Sequence, residues 1–225
     1  MKKGVFILTL FSSYFAQAQF GIVQDKDGFV NVRDEENTSS KILVKINSNT
    51  ILTYEEVEAR NWLMVEYKPE NSGYISKDRI KDLNEFEKIN PTKKSSTSIQ
   101  YSFQDYRIAI ETQKFNPKNH AITKDENTII TIDNHDILGS DGVLPMTEFK
   151  TFKIYYKEKE INIPKEYYAF LYNADLMDLK LTYNKSLNQY YLFGTFSEGA
   201  GVFDALWVLE NGKIVKHIAQ INSYA

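Results

Sequence analysis

The chain has 225 residues, with 27 basic and 30 acidic side chains and no cysteine. Lack of cysteine excludes disulfides, thiolate metal ligands, a lipidated cysteine and cysteine nucleophiles. The acidic balance argues against nucleic acid as a partner, because phosphates and carboxylates repel each other. The 15 tyrosines and 14 phenylalanines are typical of half-buried β-sheet surfaces.

Residues 1–18 have the pattern of a secretory signal peptide. Lys2 and Lys3 precede an apolar run from Val5 to Phe15, and the small-x-small motif Ala16-Gln17-Ala18 follows. The run is too short to span a membrane stably. We expect cleavage near Ala18, a mature chain in the periplasm or outside the cell, and no membrane span in it. Without the signal, 25 basic and 30 acidic residues give a net charge of about −5.

Short apolar stretches separated by turn-forming residues fill the region 19–83. Such spacing predicts strands, here at Gly21–Val23, Phe29–Val32, Ile42–Ile46, Ile51–Tyr54, Trp62–Tyr67 and Tyr74–Ile75. Regularly spaced short strands are typical of a small β-barrel or sandwich.

The next stretch, 84–100, is polar, contains Pro91 and ends in a cluster of Ser and Thr. This composition predicts a linker between two domains. Residues 101–225 are then predicted to form a β-rich domain of unknown function.

Alternation of apolar and polar residues predicts an antiparallel sheet in this second domain. Pro164 precedes a segment predicted as one short helix, and Asn211-Gly212 predicts a hairpin between the last two strands. The predicted fold class is therefore mainly β, with a small N-terminal barrel and a C-terminal antiparallel sheet.

The N-terminal region resembles the bacterial SH3 (SH3b-type) family over about residues 20–83. The stretch GFVNVRDEENTSSKIL, from Gly28 to Leu43, is similar to the family's N-V-R signature with its polar loop. Asn61–Val65 is similar to its tryptophan strand, and Ser72–Ile80 to its closing G-Y turn and strand. The resemblance implies an SH3-like barrel.

The family resemblance also implies binding, to peptidoglycan, to its stem peptides or to a protein partner. The implied ligand-binding residues are Tyr54, Trp62, Tyr74 and Arg33. From the residues themselves, Arg33 is also placed to bond carbonyls of the loop 34–40 and so to act as a scaffold residue. Glu55, Glu56 and Glu58 lie close to Tyr54 in the sequence. These acids disfavour polyanionic wall polymers and leave neutral glycan or amine-bearing stem peptides as ligands.

The C-terminal region resembles an uncharacterised family of exported bacterial β-domains. The resemblance rests on GSDGVLP at Gly139–Pro145, on Ile161–Pro164 and on SEGAG at Ser197–Gly201. It implies a fold unit and no activity.

Polar residues in this region suggest two further chemistries. Asp133, His135, Asp136 and Asp141 form a dense cluster that lacks calcium-loop spacing, and His120 and His217 are isolated, so no metal or cofactor is predicted. Glu198 and Asp204 could imitate a glycosidase pair of carboxylates. No nucleophile elbow, P-loop or H-E-x-x-H motif occurs, and no catalytic residue is predicted.

The sequence therefore predicts a non-enzymatic, exported cell-envelope binding protein. Two alternatives stay open at this point. One is a cell-envelope hydrolase that the SH3-like module targets to the wall, and the other is a non-catalytic subunit of an envelope complex. The three functions require different surfaces. A binding protein needs exposed aromatics, a hydrolase needs a cleft of acids or histidines, and a complex subunit needs an apolar patch.

Overall fold

The computed structural model describes residues 19–56, 61–68, 71–197 and 201–221, so the predicted signal peptide lies outside the described residues. Its strands confirm the mainly-β prediction. They are β1 (Gln19–Val23), β2 (Phe29–Arg33), β3 (Ile42–Asn47), β4 (Ile51–Glu56), β5 (Trp62–Lys68), β6 (Asn71–Ser76), β7 (Ile80–Asp82), β8 (Glu87–Lys88), β9 (Lys93–Ser95), β10 (Ser98–Phe103), β11 (Tyr106–Lys114), β12 (Ile122–Asp125), β13 (Thr128–Ile132), β14 (His135–Asp136), β15 (Thr147–Tyr156), β16 (Lys159–Ile161), β17 (Lys180–Asn184), β18 (Gln189–Phe196), β19 (Phe203–Glu210) and β20 (Lys213–Ile221).

The first seven strands form the N-terminal sheet, in the order β3-β2-β6-β5-β4-β1-β7. Every strand predicted in this region is present, because each pairs an apolar core face with turn residues at its ends. The core of this sheet consists of Val23, Val30, Val32, Leu52, Tyr54, Leu63, Val65 and Ile75.

Two five-stranded antiparallel sheets make up most of the remaining chain. We call the sheet β16-β15-β11-β10-β9 the middle sheet and the sheet β20-β19-β18-β17-β8 the C-terminal sheet. The predicted hairpin joins β19 to β20, and both Asn211 (φ 48°) and Gly212 (φ 74°) have the positive φ that a tight hairpin turn requires. A small sheet, β12-β13-β14, lies beside them.

The C-terminal sheet is covered on both faces. On one face of β19, Phe203, Ala205, Trp207 and Leu209 pack in a large core with the middle sheet. On the other face, Leu206 and Val208 join a separate cluster, which we call the junction, made with Phe20, Ile22, Ile51, Leu83, Phe86, Tyr191 and Phe193. The chain is thus layered, with the C-terminal sheet between the other two.

The stretch 84–100 is structured, which differs from the linker predicted for it. It contains β8, which pairs with β17 (Thr182 opposite Lys88), and β9, which pairs with β10 (Ser98 opposite Ser95). Both β8 and β9 are edge strands with exposed side chains, so their sequence is polar and resembles a linker. The first and second regions also share the junction, so they are not separated by a free tether.

The predicted short helix is a single 3₁₀ turn at Lys165–Tyr167 that begins after Pro164. The carbonyl of Tyr167 accepts a hydrogen bond from Nε1 of Trp207 at 3.1 Å, which fixes the turn on the core. Other 3₁₀ turns occur at Lys77–Arg79, Leu83–Glu85 and Pro117–Asn119.

Within the described ranges, no helix has the length and apolar character needed to cross a membrane.

Candidate functional site

A cleft of about 850 Å³ lies on the N-terminal sheet. It opens where β4, β5, β6 and β7 end near the 3₁₀ turns Lys77–Arg79 and Leu83–Glu85. Its lining residues are Tyr54, Glu56, Asn61, Leu63, Ser76, Lys77, Asp78, Ile80, Asp82 and Glu85. We call it the acidic cleft, because four of these side chains are carboxylates and one is a lysine.

Tyr54 forms the aromatic wall of the acidic cleft and is only 4% exposed. Its hydroxyl donates a hydrogen bond to Asp82 and lies 2.8 Å from Oε1 of Gln19. Burial, followed by the hydrogen bond and charge of Asp82, raises the pKa of Tyr54 well above its usual range. The charges of Glu56 and Glu85 raise this pKa further, so three carboxylates disfavour ionisation of the Tyr54 hydroxyl. Tyr54 therefore stays a neutral donor at all physiological pH values.

The carboxylates of the acidic cleft are held in place by short local contacts. Asp78 accepts a hydrogen bond from Oγ of Ser76 at 2.6 Å, and Asp82 accepts one from Nδ2 of Asn84 at 2.8 Å. Glu56 forms an ion pair with Lys77 at 2.8 Å, and both side chains are about half exposed. Asp78 also pairs with Nε of Arg79 at 3.4 Å. Four acids thus face two cations, Lys77 and Arg79, so the cleft keeps a net negative charge and favours a cationic ligand.

The predicted ligand-binding residues lie on two different faces of the N-terminal sheet. Tyr54 is opposite Val65 and points into the core and the acidic cleft. Trp62 and Tyr74 lie on the outer face, since they alternate with the buried Leu63 and Ile75. Tyr74 is opposite Arg33. The structure therefore brings Arg33 and Tyr74 together and separates them from Tyr54.

Arg33 makes the local contact expected of a scaffold residue. Its Nη1 donates a hydrogen bond to the carbonyl of Ser40 at 2.6 Å and closes the polar loop after β2. Gly73 permits the adjacent strands to approach, because a Cβ there would lie 2.8 Å from the carbonyl oxygen of Arg33. Asn31, on the same strand, keeps a buried Oδ1 without a partner among the described residues.

A second polar group, not foreseen as a unit, centres on His120. Its Nδ1 lies 2.7 Å from Asp133, its Nε2 lies 2.7 Å from Glu148, and its ring stacks on Phe115. Burial lowers the pKa of His120, but the hydrogen bonds and charges of both carboxylates outweigh it and raise the pKa above its usual value. Gln113 donates a further hydrogen bond to Glu148. Both ring nitrogens are engaged, so His120 connects Asp133, directly after β13, to Glu148 in β15 and has no free nitrogen for a ligand.

The predicted polar cluster from Asp133 to Asp141 does not converge on one point. Asp133 faces His120, whereas the ring of His135 stacks on Phe170. Among the described residues, no group of three or more His, Asp or Glu side chains is arranged to hold a metal ion. Instead, Asn173 fixes the neighbouring loop, accepting hydrogen bonds from the backbone of Met146 and Thr147.

Of the two carboxylates suggested for a hydrolase, Glu198 and Asp204, the structure describes one. Glu198 lies outside the described residues. Asp204 is fully buried in β19, where Oδ1 accepts a hydrogen bond from Thr195 at 2.5 Å and Oδ2 has no described partner. Burial raises the pKa of Asp204 to about 6.

Three acids of the cleft, Asp78, Asp82 and Glu85, were not singled out by the sequence. These acids follow the G-Y motif, and their spacing matches no known binding motif. They come beside Tyr54 only in the folded chain, where β7 pairs with β1.

Comparison of this chain with protein families, curated proteins and solved structures finds no match.

Proposed function

We propose that this chain is an exported cell-envelope binding protein whose SH3-like N-terminal module docks an amine-bearing peptide, such as a peptidoglycan stem peptide. The observation that supports it is the acidic cleft, an open concavity with four carboxylates, one lysine and the neutral hydroxyl of Tyr54. An ammonium group is the natural complement to such a site, because it donates up to three charge-assisted hydrogen bonds.

The mechanism is reversible docking. A ligand ammonium group bonds the carboxylates of Asp78 and Glu85 at the mouth of the cleft, while apolar atoms of the ligand pack on Leu63 and Ile80. Tyr54 and Asp82 form a rigid part of the wall, since the hydroxyl of Tyr54 already donates a hydrogen bond to Asp82. The proposed function thus requires no covalent step.

The test uses the mature chain and synthetic peptides that carry one lysine, either free or Nε-acetylated. We expect the free amine to bind and acetylation to weaken binding about tenfold or more, since charge-assisted hydrogen bonds contribute roughly 1.5–3 kcal/mol. Binding should also weaken as salt is raised, because the cleft is open to solvent. Co-sedimentation with purified peptidoglycan then connects the peptide result to the wall.

The variant Asp78→Asn/Glu85→Gln should lose the preference for the free amine. Glu160→Gln is the matched control, because Glu160 is also an exposed acid near a lysine, Lys153 at 3.5 Å, but lies on the middle sheet. Equal affinity for free and acetylated peptides in the wild-type chain would contradict the proposed function.

A second candidate function, a subunit of an envelope complex, is favoured by one exposed apolar loop. Val143, Leu144 and Met146 are 62%, 44% and 75% exposed. If a protein partner covers this loop, crosslinking through a photoreactive residue at position 146 in living cells should yield one discrete adduct. Only diffuse, low-yield adducts would count against this second function.

A further inference from the structure

Two smaller cavities lie between the acidic cleft and the edge of the C-terminal sheet. The first, of about 300 Å³, lies at the contact between the sheets and is lined by Gln19, Phe20, Asp82, Asn84, Lys180, Phe193, Gly194 and Thr195. The second, of about 250 Å³, is lined by Asn84, Lys88, Ile89, Asn90, Pro91, Lys94, Tyr101, Leu179, Lys180, Leu181 and Thr182. We call them the contact cavity and the basic cavity.

The three concavities share walls. Asp82 lines both the acidic cleft and the contact cavity. Asn84 and Lys180 line both the contact cavity and the basic cavity. They therefore lie in a row, which we call the track, that begins on the N-terminal sheet and ends beside β17, at the stretch first interpreted as a linker.

The two ends of this track have opposite charge. The acidic cleft has four carboxylates, whereas the basic cavity has Lys88, Lys94 and Lys180 and no carboxylate in its lining. Lys94 donates a hydrogen bond to the carbonyl of Met177 at 2.6 Å, but Lys88 and Lys180 form no ion pair within the described chain. The basic end thus has two cations without a counter-charge.

A buried hydroxyl in the basic cavity also lacks a partner. Thr182 is 1% exposed and lines the cavity, yet its Oγ1 has no hydrogen-bond partner among the described residues. Buried hydroxyls are normally satisfied, and leaving one unpaired costs roughly 1–3 kcal/mol. Thr182 lies directly opposite Lys88 on the neighbouring strand, so both side chains start from the same face of the sheet.

We propose that the basic cavity is a carboxylate-binding subsite, in which Lys88 and Lys180 supply the charge and Thr182 supplies a hydrogen-bond donor. Combined with the acidic cleft, and resting on the proposed function for that half, the ligand is an extended zwitterionic peptide. Its amine occupies the N-terminal sheet and its terminal carboxylate lies against β17. Binding then needs both sheets, which explains why the track crosses their contact.

The probes are N-acetylated peptides with one lysine, a spacer of about two, four or six alanines, and either a free carboxylate or an amide at the C-terminus. Affinity of the full mature chain for each is measured by calorimetry. We expect one spacer length at which the free acid binds about tenfold more tightly than the amide, the effect of one charge-assisted contact.

Two variants test whether the tighter binding of the free acid depends on the basic cavity. Lys180→Gln should make the acid and the amide equal. Thr182→Val should weaken binding of the acid several-fold without lowering the melting temperature, because it removes only an unpaired hydroxyl. Lys150→Gln is the matched control, since Lys150 pairs with Glu111 on the middle sheet at 3.0 Å.

The outcomes separate this inference from the proposed function. Equal binding of acid and amide at every spacer length overturns the carboxylate subsite, even if acetylation of the lysine still abolishes binding. A carboxylate effect that persists after acetylation supports the subsite and contradicts the acidic cleft as the amine site. A carboxylate effect that survives Lys180→Gln overturns the assignment to the basic cavity.

Discussion

The C-terminal sheet has a neighbour on each face, and the two contacts differ in kind. Toward the middle sheet it presents a continuous aromatic layer, in which Phe152 meets Trp207 at 4.9 Å and Phe103 meets Tyr190 at 4.7 Å. Toward the N-terminal sheet it presents the junction, which is smaller and is bordered by the buried acid Asp204. The difference indicates that the N-terminal sheet is the layer that separates first.

Polar contacts across the junction support this comparison. Lys216 donates to the carbonyl of Ile51 at 2.8 Å, and Gln220 donates to Oγ1 of Thr53 at 3.2 Å. Such bonds orient the two sheets, but the neutral bond of Gln220 adds only about 1 kcal/mol net and the charged bond of Lys216 roughly 1.5–3 kcal/mol. Burial lowers the pKa of Lys216, which shows that its charge is partly removed from water there. The junction is therefore specific in geometry and modest in stability.

The largest expected effect comes from a matched pair of leucines on β19. Leu206 lies in the junction and Leu209 in the large core, and both are fully buried. Either change to Ala should cost about 2–5 kcal/mol of unfolding free energy. Leu206→Ala should release the N-terminal sheet first, whereas Leu209→Ala should destabilise both layers together.

The two tryptophans of the chain report the two outcomes, since Trp62 lies in the N-terminal sheet and Trp207 in the C-terminal sheet. Denaturant unfolding is followed by fluorescence in Trp62→Phe and Trp207→Phe backgrounds. If the Trp62 and Trp207 signals change at the same denaturant concentration in the Leu206→Ala protein, the layers do not separate. That result would contradict the claim that the junction is the weaker contact.

The next effect concerns Asp204, whose pKa is raised to about 6 by burial. Because the folded state holds this proton more tightly than the unfolded state, stability should fall as pH rises from about 4 to about 6 and then level off. Asp204→Asn should remove this dependence and gain about 2 kcal/mol near pH 7. Urea unfolding across this pH range measures it, with the exposed Asp136→Asn as control. If Asp204→Asn leaves the pH dependence of stability unchanged, that dependence does not come from Asp204.

A smaller effect is expected at His120, far from the junction. Its raised pKa means that its stabilising charge is fully present below about pH 6.5 and is lost as pH rises through the folded value. His120→Gln should therefore cost about 1–2 kcal/mol near pH 6 and less near pH 9. Thermal unfolding measures it, and His135→Gln, with an exposed ring, is the control. A cost independent of pH would indicate packing alone.

The smallest effect is predicted for Trp62→Ala on the outer face of the N-terminal sheet. Trp62 is half-buried and does not line the acidic cleft, so the change should cost about 1 kcal/mol and leave peptide affinity within about twofold. Melting temperature and calorimetry together measure both quantities. An unchanged melting temperature with lost binding would move the ligand site to the outer face.

Most strands were predictable from the sequence, because the pattern of apolar and polar residues in each one matches which of its faces are buried. The runs Tyr191–Phe196 and Val202–Glu210 are apolar at most positions with no alternation, a pattern typical of strands buried on both faces, which β18 and β19 are. The edge strands β8 and β9 were not predictable, because all their side chains are exposed and their sequences contain no apolar alternation. Of the residues that line the acidic cleft, the sequence drew attention to Tyr54 and to Glu56 near it, whereas Asp82 comes beside Tyr54 only after β1 pairs with β7.

The position of β1 in the fold has a consequence for the order of folding. Strands β1 and β4 are synthesised early, yet one face of each is covered by β18 and β19, which lie more than a hundred residues later in the chain. Until those last strands emerge, Phe20, Ile22 and Ile51 remain in contact with water. Contacts this distant in sequence close slowly. We therefore expect the incomplete chain to expose an apolar surface on its first strands, and a chaperone that shields those strands to raise the yield of folded protein.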